Sequence, residues 1–350
     1  MIQERLKALR AEMEKRGITV YVVPTADFHE SEYVGDHFKA RKFITGFTGS
    51  AGTAVITLDE AGLWTDGRYF VQAENQLKDS TVTLYRMGEE GVPTVDEFVK
   101  DRLKEGGCLG FDGRVVNGTW GGRLEKIAAE KNVSMHVTED LIDLIWEDRP
   151  ALSKQPLFIL EEKYSGKSTA DKIGDLRKAM KENGADVHIL TSLYDIAWLL
   201  NIRGNDIDYV PVVLSYLVLN ETECIWFLQE EVVDDKIRAY LEENHITTKP
   251  YDAIYDYVPE IPADAVVLMN RGTVNYRIVN SLDKAIKVVD KPNPTELMKA
   301  VKNKTEVDNT RAAHVKDGVA FTKFMYWLKT NIGKIPMTEI SASDYLEARR

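Results

Sequence analysis

The chain has 350 residues, with 45 Lys and Arg against 56 Asp and Glu, so its net charge at pH 7 is −11. Because nucleic acids attract cationic surfaces, this balance argues against a nucleic-acid partner. A hydrophobic content of 44% is typical of folded protein, and the length is enough for two or three domains. The sequence has neither a signal-like apolar run nor the roughly twenty apolar residues of a membrane span. We therefore expect a cytoplasmic protein with no membrane partner.

The first part of the chain alternates helices and strands. A helix over residues 1–17 ends at Gly17 and precedes a continuous apolar strand, 18–23, of the kind that is buried on both faces. A glycine-rich segment then leads into a hairpin that contains Trp64. The predicted elements that follow are the hairpin strands 53–58 and 63–65, a helix 68–77, a strand 81–85, a helix 95–103, a strand 108–111, a helix 120–131 and a strand 134–137. This alternation predicts one doubly wound α/β domain.

The pattern starts again after a connector bracketed by Pro150 and Pro156, which predicts the first domain boundary. The elements predicted beyond it are helices 169–184, 193–200 and 232–244, and strands 187–191, 212–219, 223–228, 266–269 and 287–289. The same order of elements thus recurs: a helix, a glycine, a buried strand, a glycine turn and a hairpin that contains a tryptophan. Trp226 takes the place of Trp64. The offset of roughly 165 residues predicts a duplicated domain.

A second pair of prolines, Pro292 and Pro294, predicts the other boundary, after which the composition becomes helical. Helices are predicted over 295–302 and 305–329, with the start of another over 341–350. The predicted domains are therefore 1–152, 153–294 and 295–350. Since the last of these has only about 50 residues, at the lower limit for a domain, we expect the chain to be the front part of something longer.

Several common sites are absent from the sequence. The glycines of segment 46–52 do not have the spacing of a dinucleotide-binding fingerprint, and Gly49-Ser50-Ala51-Gly52 is one residue short of a hydrolase nucleophile elbow. Cys108 and Cys224 are too few and too far apart for a disulfide framework or a zinc site. We interpret both as ordinary thiols.

Two groups of acidic residues and histidines raise the question of a metal site. One group contains His29, Glu30, Glu32, Asp36 and His37, and the other contains Glu306, Asp308, His314 and Asp317. A catalytic metal needs three or more ligands that converge on one point. On a helix, residues 306 and 308 lie about two turns before residues 314 and 317, too far along the axis to share an ion. We interpret the second group as a solvated helix face with one histidine at the edge of the core, and we predict no metal site and no catalytic residue in this chain.

Arg68, in Asp66-Gly67-Arg68-Tyr69, admits two interpretations. It is either an arginine at a helix start that pairs with Asp66 or Glu74, or a guanidinium at a domain edge that holds a carboxylate or a peptide carbonyl. For Arg203, a role in stabilising its own loop is the stronger interpretation.

Five segments of the chain resemble the Xaa-Pro aminopeptidases of the three-domain cytosolic type. They are Ile44-Thr-Gly-Phe-Thr-Gly-Ser-Ala-Gly-Thr-Ala, Trp64-Thr-Asp-Gly-Arg-Tyr-Phe, Ile145-Trp-Glu-Asp-Arg-Pro, Ile196-Ala-Trp-Leu-Leu-Asn-Ile-Arg-Gly-Asn-Asp and Arg311-Ala-Ala-His-Val-Lys-Asp-Gly-Val-Ala. They extend over essentially the whole chain in the family's order. The one departure is Asn205, where the family usually has serine.

The resemblance implies two tandem creatinase-like, ribonuclease H-like α/β domains, followed by the first helices of a truncated pita-bread catalytic domain. In the complete enzymes two aspartates, a histidine and two glutamates of that last domain hold two divalent ions, commonly manganese. A metal-bound water then attacks the bond before a proline in second position. None of those ligand motifs has a counterpart here, so the resemblance implies that the chain alone is inactive.

The resemblance implies that this chain supplies a lid over the substrate cleft and the surface through which a homodimer forms. It also implies that Arg68, in the family's Asp-Gly-Arg-Tyr motif, binds substrate, a peptide with proline in second position. The alternative is a non-catalytic protein-binding module, because creatinase-like domains also occur in proteins that have lost peptidase activity.

Overall fold

A computed structural model describes residues 2–350 of the chain. The first unit is a sheet with helices on both faces. Its helices are α1 (Ile2–Lys15), α2 (Ala40–Thr45), α3 (Phe70–Leu77), α4 (Val95–Arg102) and α5 (Gly118–Glu130), and its strands are β1 (Val20–Pro24), β2 (Thr53–Thr57), β3 (Ala61–Thr65), β4 (Thr83–Arg86), β5 (Cys108–Phe111) and β6 (Ser134–His136). The order of elements is the predicted one, with α2 and a short 3₁₀ turn, Asp36–Phe38, as additions.

The first sheet is mixed, in the order β4-β3-β2-β1-β5-β6. The hairpin partners β1–β2 and β2–β3 are antiparallel, whereas β1–β5, β3–β4 and β5–β6 are parallel. All five residues of the central strand β1 are buried, because separate apolar clusters cover the two faces of the sheet. This explains why the strand is apolar throughout instead of alternating.

The second unit contains the next set of elements. Its strands are β7 (Phe158–Ile159), β8 (Val187–Leu190), β9 (Ile202–Arg203), β10 (Ser215–Asn220), β11 (Cys224–Leu228), β12 (Thr247–Pro250), β13 (Val266–Met269) and β14 (Lys287–Asp290), and its helices are α6 (Glu162–Ser165), α7 (Thr169–Glu182), α8 (Leu193–Leu199), α9 (Asp235–Glu243), α10 (Ile254–Tyr257) and α11 (Tyr276–Ser281). The helix predicted from residue 232 begins later, because Asp234 caps α9 through a hydrogen bond to the amide of Ile237. Strands β7, β9 and β12 and helices α6, α10 and α11 were not predicted.

The second sheet repeats the topology of the first. Its order is β12-β11-β10-β8-β13-β14, and corresponding neighbours are antiparallel or parallel as in the first sheet. Trp64 on β3 and Trp226 on β11 are both fully buried, but they do not occupy equivalent positions. Trp64 packs with Leu124 of α5, whereas Trp226 packs with Leu176 of α7, the counterpart of α1, so the two rings lie on opposite faces of their sheets. The helices α2 and α8 correspond, and each is followed by a left-handed residue, Gly46 (φ 76°) or Asn201 (φ 49°). The predicted duplication is confirmed.

Hydrogen bonds between backbone groups form a seam between the two units, joining segment 113–119 to segment 271–277. The amide of Tyr276 donates to the carbonyl of Val116 at 2.7 Å, and the amide of Gly118 donates to the carbonyl of Val274 at 2.8 Å. Helix α5 packs so closely on α11 that a Cβ on Gly121 would lie 2.1 Å from the ring of Tyr276. The seam therefore requires a residue with no side chain at position 121.

Three terminal helices complete the structure: α12 (Pro294–Ala300), α13 (Lys304–Asn331) and α14 (Glu339–Glu347). They are tied to the second unit near residue 300, where Lys299 Nζ lies 2.6 Å from the buried carboxylate of Asp195 and Asn303 donates to the carbonyl of Ser165. Beyond residue 310 most of α13 is exposed, including Val315 and Tyr326. No helix within residues 2–350 combines the length and the apolar character needed to cross a membrane.

Replacing Gly121 by alanine is expected to lower the free energy of unfolding by about 1–3 kcal/mol, because the added methyl group overlaps the ring of Tyr276. The matched control is Gly174→Ala in α7, where an added Cβ has no atom within 4 Å. That variant should stabilise the protein by about 0.5–1 kcal/mol, since alanine loses less backbone entropy on folding. Urea unfolding of both variants measures the two effects, and equal effects at the two positions would contradict the close packing of the seam.

Candidate functional site

A cleft of about 660 Å³ lies between the two units. On one side it is bounded by Thr25, directly after β1, and by Ser50, which precedes the antiparallel neighbour β2. On the other side it is bounded by residues 205–209, which precede β10, the antiparallel neighbour of β8. The cleft thus lies at the carboxyl ends of both central strands, where α/β sheets commonly bind ligands.

The loop after β1 carries side chains of the first unit into the second. Phe28 is buried in the apolar core of the second unit, and Arg114 covers its ring at 4.4 Å. His29 is fully enclosed: its Nδ1 lies 3.1 Å from the carbonyl of Thr191, and its Nε2 lies 2.6 Å from the hydroxyl of Tyr251. This loop was predicted only as polar, so its burial is a correction. Phe28, a large apolar residue among polar neighbours, was the available signal.

Burial lowers the pKa of His29 from 6.5 to about 4, so the imidazole is neutral at pH 7. Asp27 orders the same loop, because one carboxylate oxygen accepts the amides of His29 and Ser31, both at 2.9 Å. These contacts assign Asp27 and His29 to the junction between the units and not to a metal site.

The glycine-rich segment 46–52 forms part of the cleft wall and is held by Arg41. The Arg41 guanidinium donates to the carbonyl of Phe47 at 2.5 Å, to the carbonyl of Gly49, and to the hydroxyl of Thr25 at 2.9 Å. These bonds tie the segment to helix α2 and to the end of β1. The role of Arg41 could not be inferred from sequence, since all three partners are separated from it along the chain.

Arg68 does not line the cleft. Its Nε and Nη2 donate to the two carboxylate oxygens of Asp66 at 2.8 and 2.9 Å, and the side chain is 70% exposed. This hydrogen-bonded pairing lowers the pKa of Asp66 to about 2. Glu74, the other partner considered, pairs with Arg86. Tyr69, the neighbour of Arg68, contacts the cleft wall, because the Tyr69 hydroxyl lies 2.5 Å from that of Ser50.

The opposite wall is organised by Asp206. Its two carboxylate oxygens accept the amides of Gln155 and Leu214, at 3.1 and 2.9 Å. Arg203 donates to the carbonyls of Ala197 and Ile202, so the interpretation that it stabilises its own loop agrees with its contacts.

Of the second candidate metal group, Asp308, His314 and Asp317 are exposed on α13, so His314 does not lie at the edge of the core as interpreted. Glu306 is half-buried and accepts the amide of Asn303 at 2.9 Å. Across residues 2–350, no three His, Cys, Asp or Glu side chains are placed to hold a metal ion. Cys108 and Cys224 are free and buried, and burial raises the pKa of Cys224 to about 12.

These observations define a tandem pair of six-stranded α/β units with a cleft at their junction. The sequence profile of the Creatinase/Prolidase N-terminal domain matches residues 5–145 and again residues 148–306. The chain therefore belongs to the family of proteins built on this domain and carries two copies of it. The predicted boundaries at 152/153 and 294/295 remain predictions.

The resemblance to Xaa-Pro aminopeptidases is also confirmed. Probable Xaa-Pro aminopeptidase P of Sordaria macrospora is 38% identical over 99% of this chain, which covers 59% of that protein. The protein of the same name from Neurospora crassa is 38% identical over 99% of this chain, which covers 53% of it. The chain therefore spans little more than half the length of these relatives.

A crystal structure of X-prolyl aminopeptidase from Caenorhabditis elegans matches the fold with a TM-score of 0.93 and 31% identity. The match covers all of this chain and 60% of that one. The Caenorhabditis elegans protein is described as a cytosolic enzyme with a di-nuclear active site.

Acidification is expected to destabilise the protein through His29. Between pH 6.5 and about 4 the unfolded chain binds a proton at this imidazole while the folded chain does not, so the stabilisation is complete above pH 6.5 and declines as the pH falls toward 4. Between pH 7 and pH 5 this residue should account for a loss of about 1–2 kcal/mol in the free energy of unfolding. Urea unfolding of wild type and His29→Gln at both pH values tests this, since the variant lacks the titrating group. An equal pH dependence in the two proteins would show that His29 is not responsible.

Proposed function

We propose that these residues form the N-terminal, non-catalytic part of a metal-dependent Xaa-Pro aminopeptidase, a cytoplasmic hydrolase that removes the residue before a proline in second position. The observation that carries the proposal is the extent of the match to the Caenorhabditis elegans enzyme, which includes every part of this chain but only 60% of that one. In this proposal the two divalent ions, with manganese as the expected metal, are held outside the present residues.

The described residues do not fit the metal pair, because they bring no three candidate ligands together. No step of peptide hydrolysis is therefore assigned to them. Their proposed contributions are a lid over the substrate and a surface for homodimer formation. The exposed apolar side chains on α13, among them Val315 and Tyr326, need a covering surface, which in this proposal the rest of the catalytic domain supplies.

The proposal is tested by Mn²⁺-dependent hydrolysis of an Xaa-Pro peptide, measured side by side on the 350-residue chain and on the full product of its gene. Activity confined to the full product is the expected result. Activity in neither protein would favour the alternative, a protein-binding module. Activity in the 350-residue chain would show that a metal site lies within it.

Within this proposal, Arg68 binds the peptide substrate. Its Nη1 makes no hydrogen bond to any of residues 2–350, and the paired carboxylate of Asp66 fixes the plane of the guanidinium. An arginine oriented in this way presents a directed donor to a carbonyl or carboxylate oxygen.

Arg68→Ala is expected to lower kcat/KM of the full gene product about tenfold, through loss of a charged hydrogen bond, with little change in the unfolding midpoint because the side chain is exposed. Arg102→Ala is the matched control, since Arg102 is also a surface arginine paired with carboxylates, those of Glu60 and Asp101. Steady-state kinetics on both variants distinguishes the roles, and equal kinetic effects would remove Arg68 from the substrate site.

A further inference from the structure

The arginine that lines the cleft has no acidic partner. Arg41 is only 3% exposed, and within residues 2–350 no carboxylate lies within 4 Å of its guanidinium. Its hydrogen-bond acceptors are two carbonyl oxygens and one hydroxyl, all neutral. Buried charges in proteins are ordinarily paired, because removing an ion from water costs several kcal/mol even after relaxation. The guanidinium carbon lies 4.8 Å from the centre of the Phe47 ring, so Arg41 is a positive charge with an aromatic neighbour but no carboxylate partner at the wall of the cleft.

The charge persists at neutral pH. Burial lowers the pKa of Arg41 to about 10, which still leaves the guanidinium protonated at pH 7. Its three bonds involve Nε, Nη1 and Nη2 once each, so two of its five N–H groups are not engaged by them. Arg41 therefore keeps a charge and two N–H groups that its protein hydrogen bonds leave unused.

A second cation lies one residue further along α2. Lys42 is exposed, lines the same cleft and makes no ion pair within 4 Å in the described part of the chain. The hydroxyls of Thr48 and Ser50 are also in this wall. Two cations and two hydroxyls on one wall form a set of donors suited to an oxyanion.

The acidic residues of the cleft are either occupied by other partners or exposed to solvent. The carboxylate of Asp206 is occupied by two backbone amides, and that of Asp36 pairs with Lys39. Glu32 and Asp208 are exposed, so water and salt screen them, whereas the buried Arg41 acts through a lower dielectric. The wall formed by Arg41 and Lys42 therefore favours an anion even though the cleft as a whole contains acidic residues.

We propose that the cleft between the units is a carboxylate-binding site, and that its occupant is the free C-terminal carboxylate of a short peptide held by Arg41, Lys42 and Ser50. A volume of about 660 Å³ accommodates several residues. The proposal goes beyond the proposed function, because binding here needs neither cleavage nor a free N-terminus. In this proposal the two units bind a ligand independently of peptide cleavage.

Calorimetric titration of the 350-residue chain with N-acetyl-Ala-Pro-Ala and with its C-terminal amide tests the proposal. The acetyl group blocks the amine that an aminopeptidase requires, so the outcome is independent of the peptidase assay. The free acid should bind at least about tenfold more tightly than the amide, and its affinity should fall as salt rises. Equal affinity of acid and amide, or no binding of either, would overturn the proposal. Acetate that competes at the same concentration as the peptide acid would show that any small carboxylate, and not a peptide, is the occupant.

Variants locate the site within the cleft. Lys42→Gln should weaken binding of the peptide acid about threefold, and Asp208→Asn on the opposite wall should strengthen it about twofold by removing a like charge. Lys7→Gln, an exposed lysine on α1 away from the cleft, is the control with no expected effect. Arg41→Lys keeps the charge but loses the fork of donors, and should weaken binding about tenfold; its unfolding midpoint shows whether the fold survives. Weaker binding by Asp208→Asn, or unchanged binding by Lys42→Gln, would place the ligand elsewhere.

Discussion

The arrangement of the two units depends on the burial of Phe28 and His29 in the second unit. The phenyl ring joins the apolar core there, and the neutral imidazole bonds to Thr191 and Tyr251. Apolar burial provides the driving force for this contact, and the paired polar atoms fix its orientation. Because this loop follows directly from β1, the contact holds the carboxyl end of one central strand against the corresponding end of the other. The cleft exists because these two ends face each other at a fixed separation.

Two arginines near the cleft differ in their burial and in their partners. Arg68 is exposed and pairs with Asp66 two residues away, so its charge is locally balanced and accessible. Arg41 is buried and bonds only to neutral oxygens, so its charge has no carboxylate partner and can be reached only from the cleft that it lines. Arg68 could be identified from the sequence because it belongs to a motif, Asp66-Gly67-Arg68-Tyr69. Arg41 could not, because only the folded chain brings it to the wall of the cleft.

Local patterns in the sequence were sufficient to predict most helices and strands and the duplication. Apolar runs such as β1 and β8, glycines after helices and the two hairpin tryptophans are all signals within a few residues. The contacts that join the two units are different in kind: His29 contacts Tyr251, and Gly121 packs against Tyr276. No periodicity within one segment encodes a contact between residues more than a hundred positions apart. The short strand β12 was missed for a related reason, because its partner β11 and not its own composition stabilises it.

The seam between segments 113–119 and 271–277 has a consequence for how such proteins can diverge. Its bonds join main-chain amides and carbonyls, which every residue except proline supplies equally. Substitutions along the seam can therefore accumulate with little effect on its hydrogen bonds, as long as the close positions Gly113, Gly118 and Gly121 stay glycine. An insertion or deletion of one residue, in contrast, would shift every donor past its acceptor. The relative orientation of the two units is thus inherited through the length of these segments more than through their composition.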